Sequence, residues 1–531
     1  MHHGWAVPFD LWGGGALEIL NSYEGELVAH NSPFDTRFIG YHGGWDVPWH
    51  KIHDTLTLAH LDNPLRPKGL KPLADRLVDR RASAGQEALH DGMKKQGWTW
   101  ATVPMNFTPY WVYAALDPVL TCHIYDKLSP ARETYKQAYD FERGVSRVLA
   151  GMMLRGMRID IEHVQSRLDG IGKFSYEGRA WLKQMFGIDS PMSGLSIARV
   201  LEGYGQEIAW HTEHGQPQMD KEALGFYRDN AVLPLIRELC ETVLALRHAE
   251  KMAGTYLENL LRLCDGNSDI HASIWSLGAR TSRMSITDPA LQTLPRDDLI
   301  VRGCFVPRPG YVLISIDASQ IESRLAAHFS EDPGLVAAFL EADAGGRDFF
   351  CGVASEIFGE NITKGDKRRQ VTKNTVYGSI YGAGAPKMAI TAGVTLEVME
   401  PVKKAFDQRY PGLKALSNRI IAEARACDKP CVYTPMGRRL LLDPGREYTQ
   451  GTNALIQGHA AEILKKGLLD LDAAGYGDNL LLPVHDEVIL EVPEKDAENS
   501  LREISEILTD RKNYLVPLTW DGKIMRKRWQ K

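Results

Sequence analysis

The chain has 531 residues, too many for one hydrophobic core to serve, so several domains are expected. Apolar residues make up 44% and charged residues 24%, which excludes a disordered or fibrous chain. The formal net charge of −6 removes bulk basicity as a route to nucleic acid; such a partner needs a local basic surface. Seven Cys show no metal-site spacing and no signal peptide precedes them, which predicts a reducing, cytoplasmic setting. No apolar run reaches membrane-helix length, so no membrane partner is expected.

In chain order, the opening MHHGWAVPFDLWGGG carries little signal. Glu26 to Asn31 reads as a strand leading into AHNSPFD, which holds Asn31 and Asp35, and a helix is predicted over Thr36 to Tyr41. Asp54 stands where a helix cap belongs. YWVYAALDPVLTCHIYDKL reads as helix, with Tyr113 and Asp117 four apart on one face, a spacing that also merely satisfies the hydroxyl. From Pro130 to about Leu263 the chain reads as helical, broken at Gly156. Its long run Val232 to Leu263 fits either a coiled-coil arm or an ordinary helical subdomain. His271 to Pro295 is irregular and polar and offers Arg280, Arg283 and Gln292, suited to phosphates or base edges, or to an exposed linker.

Val312 to Arg324 reads VLISIDASQIESR: a buried strand, a carboxylate at its end, then a helix. Asp317 at a strand end suits a metal ligand, a catalytic acid or a plain cap. Farther on, Arg369, Lys373, Tyr377 and Tyr381 recur at intervals of four and share one helical face. Cations leading into aromatics fit a ligand with phosphates at one end and a flat ring at the other; a basic surface helix is the plain alternative. CVYTPMGRRLLL reads as strand–turn–strand about Gly437, and the next helix places the amides Asn453 and Gln457 four apart. Leu480 to Pro493 reads as a tight hairpin with His485 and Asp486 at the tip, where Gly or Asn would be usual. The basic tail KIMRKRWQK suits phosphate contact or simple solvation.

Three of these stretches, in order, resemble the family A DNA polymerases, the group of bacterial DNA polymerase I and its phage relatives. DASQIESR is similar to the first palm motif, RRQVTKNTVYGSIYG to the fingers-helix motif and VHDEV to the second palm motif. RTSRMSITDPALQTLP and NALIQGHAAEI match the pieces between, so the clear resemblance runs from His271 to the C-terminus. It implies an α/β multidomain chain with the right-hand polymerase fold of palm, fingers and thumb, preceded by a partial ribonuclease H-like exonuclease domain. The implied segments are 1–128 for the exonuclease-like part, 129–270 for a helical thumb, 271–335 and 431–531 for the palm, and 336–430 for the fingers.

By this resemblance Asp317 and Asp486, with the Ala318 carbonyl, hold two Mg²⁺ ions, or Mn²⁺ instead, roughly 3.5–4 Å apart. Arg369 and Lys373 meet the nucleotide phosphates, and Lys373 donates a proton to pyrophosphate. Tyr377 packs on the ribose and base, Tyr381 lies near the templating base, Glu322 excludes a 2′-hydroxyl, and Gln320 joins the nucleotide site. Arg280, Arg283, Asn453, Gln457 and His485 contact the DNA. The implied partners are primer-template DNA and deoxynucleoside triphosphates, with replisome proteins as further candidates and a monomeric chain. The implied role is DNA replication, in the host cytoplasm for a phage enzyme.

Departures accompany the match. GRDFF places Phe350 where the family often has a triphosphate-binding His, which leaves Lys367 or Arg368 as substitutes, and Ala318 stands where an aromatic is usual. AHNSPFD and YAALD are similar to two exonuclease motifs, carried by Asp35, Tyr113 and Asp117, but the Asp-x-Glu of the first has no room upstream. Proofreading is therefore expected to be absent or very weak. That gap, with no 5′-nuclease segment, favours a phage origin or an earlier true start. A single-subunit RNA polymerase and a non-catalytic DNA-binding scaffold remain alternatives; Glu322 argues against the first and the complete acid and cation set against the second.

Overall fold

The computed structural model describes residues 3–294 and 299–530. Pro295, the end of the polar stretch noted above, lies outside them. The chain divides into two compact units. One comprises Met1–Arg155, Ile274–Ser285 and Ile314–Ile524; the other comprises Gly156–Ser273, Ile286–Leu313 and Met525–Lys531.

The first unit is organised around a four-stranded sheet. Its order is Leu480–Val484, Glu487–Pro493, Tyr311–Ala318, Trp520–Met525. The apolar run Val312, Leu313, Ile314 and Ile316 is buried on both faces, as a continuous rather than alternating pattern requires. Ser315 interrupts that run without leaving a loose polar group, because its hydroxyl donates to the buried Glu487. Leu480–Val484 and Glu487–Pro493 pair antiparallel with Val484 opposite Glu487, so His485 and Asp486 form the whole turn. His485 takes a left-handed conformation, φ 55°, in place of the glycine such a turn favours.

The helix Glu447–Leu471 runs about 37 Å through this unit and buries most of its faces, polar ones included. His459, Glu462 and Lys465 are all buried. Lys465 donates to Glu142 at 2.7 Å, and Arg438 pairs with Glu142 and, at 3.1 Å, with Glu462. Two acids and two bases thus cancel inside the core and join three segments. Burial nevertheless pushes the Lys465 ammonium down to about 8, against the pull of Glu142. Arg438 reaches the cluster from the turn between Cys431–Tyr433 and Arg439–Leu441, where Gly437 adopts φ 78°.

At the N-terminal end of the same unit, Leu27–Ala29 and Ile52–Asp54 form a parallel pair with Ala29 opposite Asp54. Asp54 caps the helix Thr55–Asp62 through the Leu56 amide at 2.8 Å, the role its position predicts. The segment Thr36 to Tyr41 lies in the helix Ser32–Gly43, and Tyr113 and Asp117 lie on Thr108–Lys127.

The second unit is mainly helical. Gly156, at φ 66°, ends the helix Lys136–Arg155; a Cβ there would come within 2.8 Å of the Ile270 carbonyl oxygen. The run Val232 to Leu263 forms helix Pro234–Lys251, a wide turn at Met252–Leu257 and helix Glu258–Leu263. Its apolar face shares one core, including Leu182, Ile197, Leu201, Leu224 and Leu239, with three other helices. This is the helical-subdomain reading rather than an isolated arm. The stretch after His271 is less irregular than its composition predicts, since Ser273–Trp275 pairs with Ser285–Thr287. In the basic tail Lys523, Arg526 and Lys527 are exposed, while Arg528 and Trp529 tie it down. Trp529 is fully buried and its amide donates to the Phe305 carbonyl at 2.9 Å, while Arg528 bonds Asp160 at 2.6 Å. Among the described residues no helix is long and apolar enough to cross a membrane.

Candidate active site

Asp317 is the residue at which the central strand regains solvent, one place before its end. Asp486 is the second residue of the two-residue turn on the neighbouring strand. The Ala318 amide donates to the Asp486 carbonyl at 3.0 Å, so two acids far apart in sequence sit on directly bonded backbone at one end of the sheet. The turn after Asp317 is fixed on its other sides. The Ser319 amide donates to the Thr519 carbonyl at 2.9 Å and the Ser319 carbonyl accepts from Arg324 Nε at 2.9 Å. Arg324 is itself held by Asp343 through two N–H groups, at 2.6 and 2.7 Å.

Gln320 follows at φ 52° and starts the helix Ile321–Ser330, whose first turn carries Glu322. One oxygen of Glu322 accepts from Arg283 and the other from the Tyr381 hydroxyl. Gln457 hydrogen-bonds the same hydroxyl. Burial, then the Glu322 charge, push the Tyr381 phenol well above its ordinary range. Glu322 and Gln457 therefore meet at the Tyr381 hydroxyl, and Arg283 joins them through the other oxygen of Glu322. Tyr381 itself lies just past the helix Lys367–Ile380, not within it.

The cation face of Lys367–Ile380 lies against the start of the helix Phe349–Phe358. Arg369 donates to both oxygens of Asp348, at 2.8 and 3.0 Å. Burial works to raise the Asp348 carboxyl, but Arg369 and the Cys351 amide outweigh it and hold it below the usual range. Lys373 and Tyr377 flank the ring of Phe350. Arg368, one of the substitutes for a family His, is taken up by Asp366 and Glu360 at 2.9 and 2.8 Å. Elsewhere Arg280 forms a two-pronged pair with Asp443 at 3.1 and 3.2 Å. Asn453 and Gln320 each bury an amide oxygen that has no hydrogen-bond partner.

Residues 193–531 match the family model for DNA polymerase family A. The chain belongs to DNA polymerase family A. It is 30% identical to a DNA polymerase of Mycobacterium phage D29 over 97% of this chain and 85% of the relative. It is 27% identical to that of Mycobacterium phage L5 over 99% and 87%. A DNA polymerase I of Helicobacter pylori is 30% identical over 77% of this chain but only 45% of its own length. The fold is similar to the POL domain of Pol1 from M. smegmatis, solved in complex with a DNA primer-template and dNTP. The TM-score is 0.80 at 24% identity, covering 98% of this chain and 89% of that one.

Family A polymerases are divalent-metal dependent, and the sheet end of this polymerase suits such ions. Two carboxylates and a backbone carbonyl are hard oxygen donors, the kind such ions take.

The N-terminal acids are arranged differently. Asp117 is paired with the buried Lys71, whose ammonium also lies 5.0 Å from the Tyr113 ring centre. Asp54 accepts from the Asn31 and Ser32 amides, at 3.0 and 2.7 Å, and from the Ser32 hydroxyl. Burial, then the charge of Asp54, push the Asp35 carboxyl up to about 7. Sequence spacing did not find Asp348, Asp443 or Lys71. Each is identified only by its partner across the fold, and for Asp348 the GRDFF segment was the available signal.

Proposed function

We propose that the nucleotide-joining step of this DNA-directed DNA polymerase takes place at Asp317 and Asp486. The observation that carries the assignment is the hydrogen bond from the Ala318 amide to the Asp486 carbonyl, which joins the two acids at one sheet end. With the Ala318 carbonyl they would hold two Mg²⁺ ions, which when bound supply charge neutralisation at the attacking and leaving oxygens. In the proposed reaction the primer 3′-hydroxyl gives its proton to solvent and its oxygen bonds to the α-phosphorus as the bond from that phosphorus to the bridging oxygen breaks; pyrophosphate leaves with a proton from Lys373, which regains one from solvent. Arg369 grips the phosphates. Tyr377 covers the ribose and base, and its hydroxyl can replace a missing 3′-hydroxyl, so dideoxynucleotides are accepted.

Glu322, held from both sides by Arg283 and Tyr381, blocks a 2′-hydroxyl. Gln320 and Asn453, with their unpartnered amide oxygens, contact nucleotide and DNA respectively, joined on the DNA by Arg280, Gln457 and His485. Minor-groove positions common to all base pairs suit a copying enzyme. The partners are primer-template DNA and deoxynucleotides, the setting phage DNA replication in the host cytoplasm, and the chain acts as a monomer, with replisome proteins as further contacts. Asp35, Tyr113 and Asp117 are the remains of a proofreading site, and the Lys71–Asp117 pair supports an inactive one. Primer extension with Mg²⁺ tests the assignment: Asp317→Asn should reduce extension to background while primer-template binding persists. Extension by that variant at the parent rate would overturn the assignment.

A further inference from the structure

We propose that Phe350 is a positioning residue for the incoming nucleotide: one buried ring orients Arg369, Lys373 and Tyr377 together. This rests on the nucleotide reading of that helix face. The ring is held firmly. Phe350 is 3% exposed and meets Phe349 edge-on at 5.1 Å, and Phe349 in turn stacks on Phe339 at 3.7 Å and 10°. The Asp348 side chain accepts from the Cys351 amide at 3.1 Å and so fixes the helix start on which both rings sit.

Against this fixed ring come three side chains spaced at four on the facing helix. The Arg369 guanidinium lies 5.5 Å from the ring centre, the Lys373 ammonium 5.8 Å, and the Tyr377 ring 5.9 Å at a 40° tilt. An aromatic face attracts a cation without cancelling its charge. A carboxylate in that place would neutralise the cations that the triphosphate needs; Asp348 engages Nε and one Nη of Arg369, and the ring orients the side chain without adding a second countercharge. Phe350 has no hydrogen-bonding group, so it cannot grip phosphate itself. Its contribution is to hold one ammonium, one guanidinium and one tyrosine ring in register, so that the cost of ordering them is met before the nucleotide arrives.

The test uses the full chain with Phe350→Leu, Phe350→Tyr and Phe350→Met, each measured for KM of dNTP, kcat and the ratio of dideoxy to deoxy incorporation. Phe350→Leu should raise KM about 3- to 30-fold with kcat within about threefold, and should shift the sugar ratio through Tyr377. Phe350→Tyr should restore KM. Phe350→Met, which keeps most of the volume without a ring, should be impaired as Phe350→Leu is. A Phe350→Leu KM within about twofold of the parent, or a Phe350→Tyr as impaired as Phe350→Leu, would each overturn the proposal. If Phe350→Leu does not fold, shown by loss of its thermal transition, the Met-against-Tyr comparison decides alone. Asp317→Asn run alongside separates the two failures: activity in that variant sinks the nucleotide reading, whereas its inactivity beside an unchanged Phe350→Leu sinks only the role of Phe350.

Discussion

The end of the four-stranded sheet and the N-terminal strand pair both bring acids to strand ends, and they differ in what holds those acids. Asp317 and Asp486 are placed by main-chain pairing, through the Ala318 amide and a two-residue turn. Asp117 is placed by a buried lysine, and Asp54 by two neighbouring amides, a serine hydroxyl and its own helix cap. Main-chain pairing brings two acids from different strands to one end of a sheet, whereas the N-terminal acids are drawn to a lysine and to nearby amides. The comparison teaches that counting acids is a poor guide to a metal site unless the means of positioning is known.

The largest expected effect breaks the two regions apart. Asp317→Asn or Asp486→Asn should lower primer extension by at least about a thousandfold, whereas Asp35→Asn and Asp117→Asn should leave it within about twofold. Chelation with EDTA should abolish extension, and added Mg²⁺ or Mn²⁺ should restore it; extension that persists without divalent ions would refute the proposed metal role. Lys71→Met should destabilise the N-terminal region by about 2–4 kcal/mol in urea unfolding, because a partly buried Asp117 loses its partner. Adding Asp117→Asn should recover most of that loss. Glu322→Ala should reduce the preference for deoxy- over ribonucleotides by about 10- to 100-fold in competitive incorporation.

The smallest effect is a pH dependence. The Asp35 carboxyl, raised to about 7 in the folded chain from an ordinary 3.8, binds its proton more tightly folded than unfolded. Stability should therefore fall as pH rises from about 4 through about 7, by no more than ~1.4 kcal/mol per pH unit. Asp35→Asn should flatten that slope, as thermal midpoints at pH 5 and pH 8 would show.

Much of the active-site scaffold could be read from local pattern. The apolar run before Asp317 reads as a buried strand and the pair His485–Asp486 between two apolar runs as a tight turn, and the fold has both. The interval of four set the cation face correctly until Tyr381, where the helix had already ended. What stayed hidden were partnerships across the fold. Nothing near Arg369 says that Asp348 will seize it, and nothing near Asp117 says the same of Lys71. The tail was half legible: its cations Lys523, Arg526 and Lys527 are exposed as a solvated segment would have them, but nothing local announced that Trp529 would be buried. The buried quartet of Glu142, Arg438, Glu462 and Lys465 was equally invisible, because its charges look like surface until they meet.

The two-residue turn between Val484 and Glu487 also governs how this chain can vary among its descendants. One added or deleted residue there would change the loop length that sets the turn type, and so where Asp486 leaves the sheet. Drift in that segment should be substitutional and almost never a change in length, and a deep insertion–deletion library would register it as a silent gap between two buried strands.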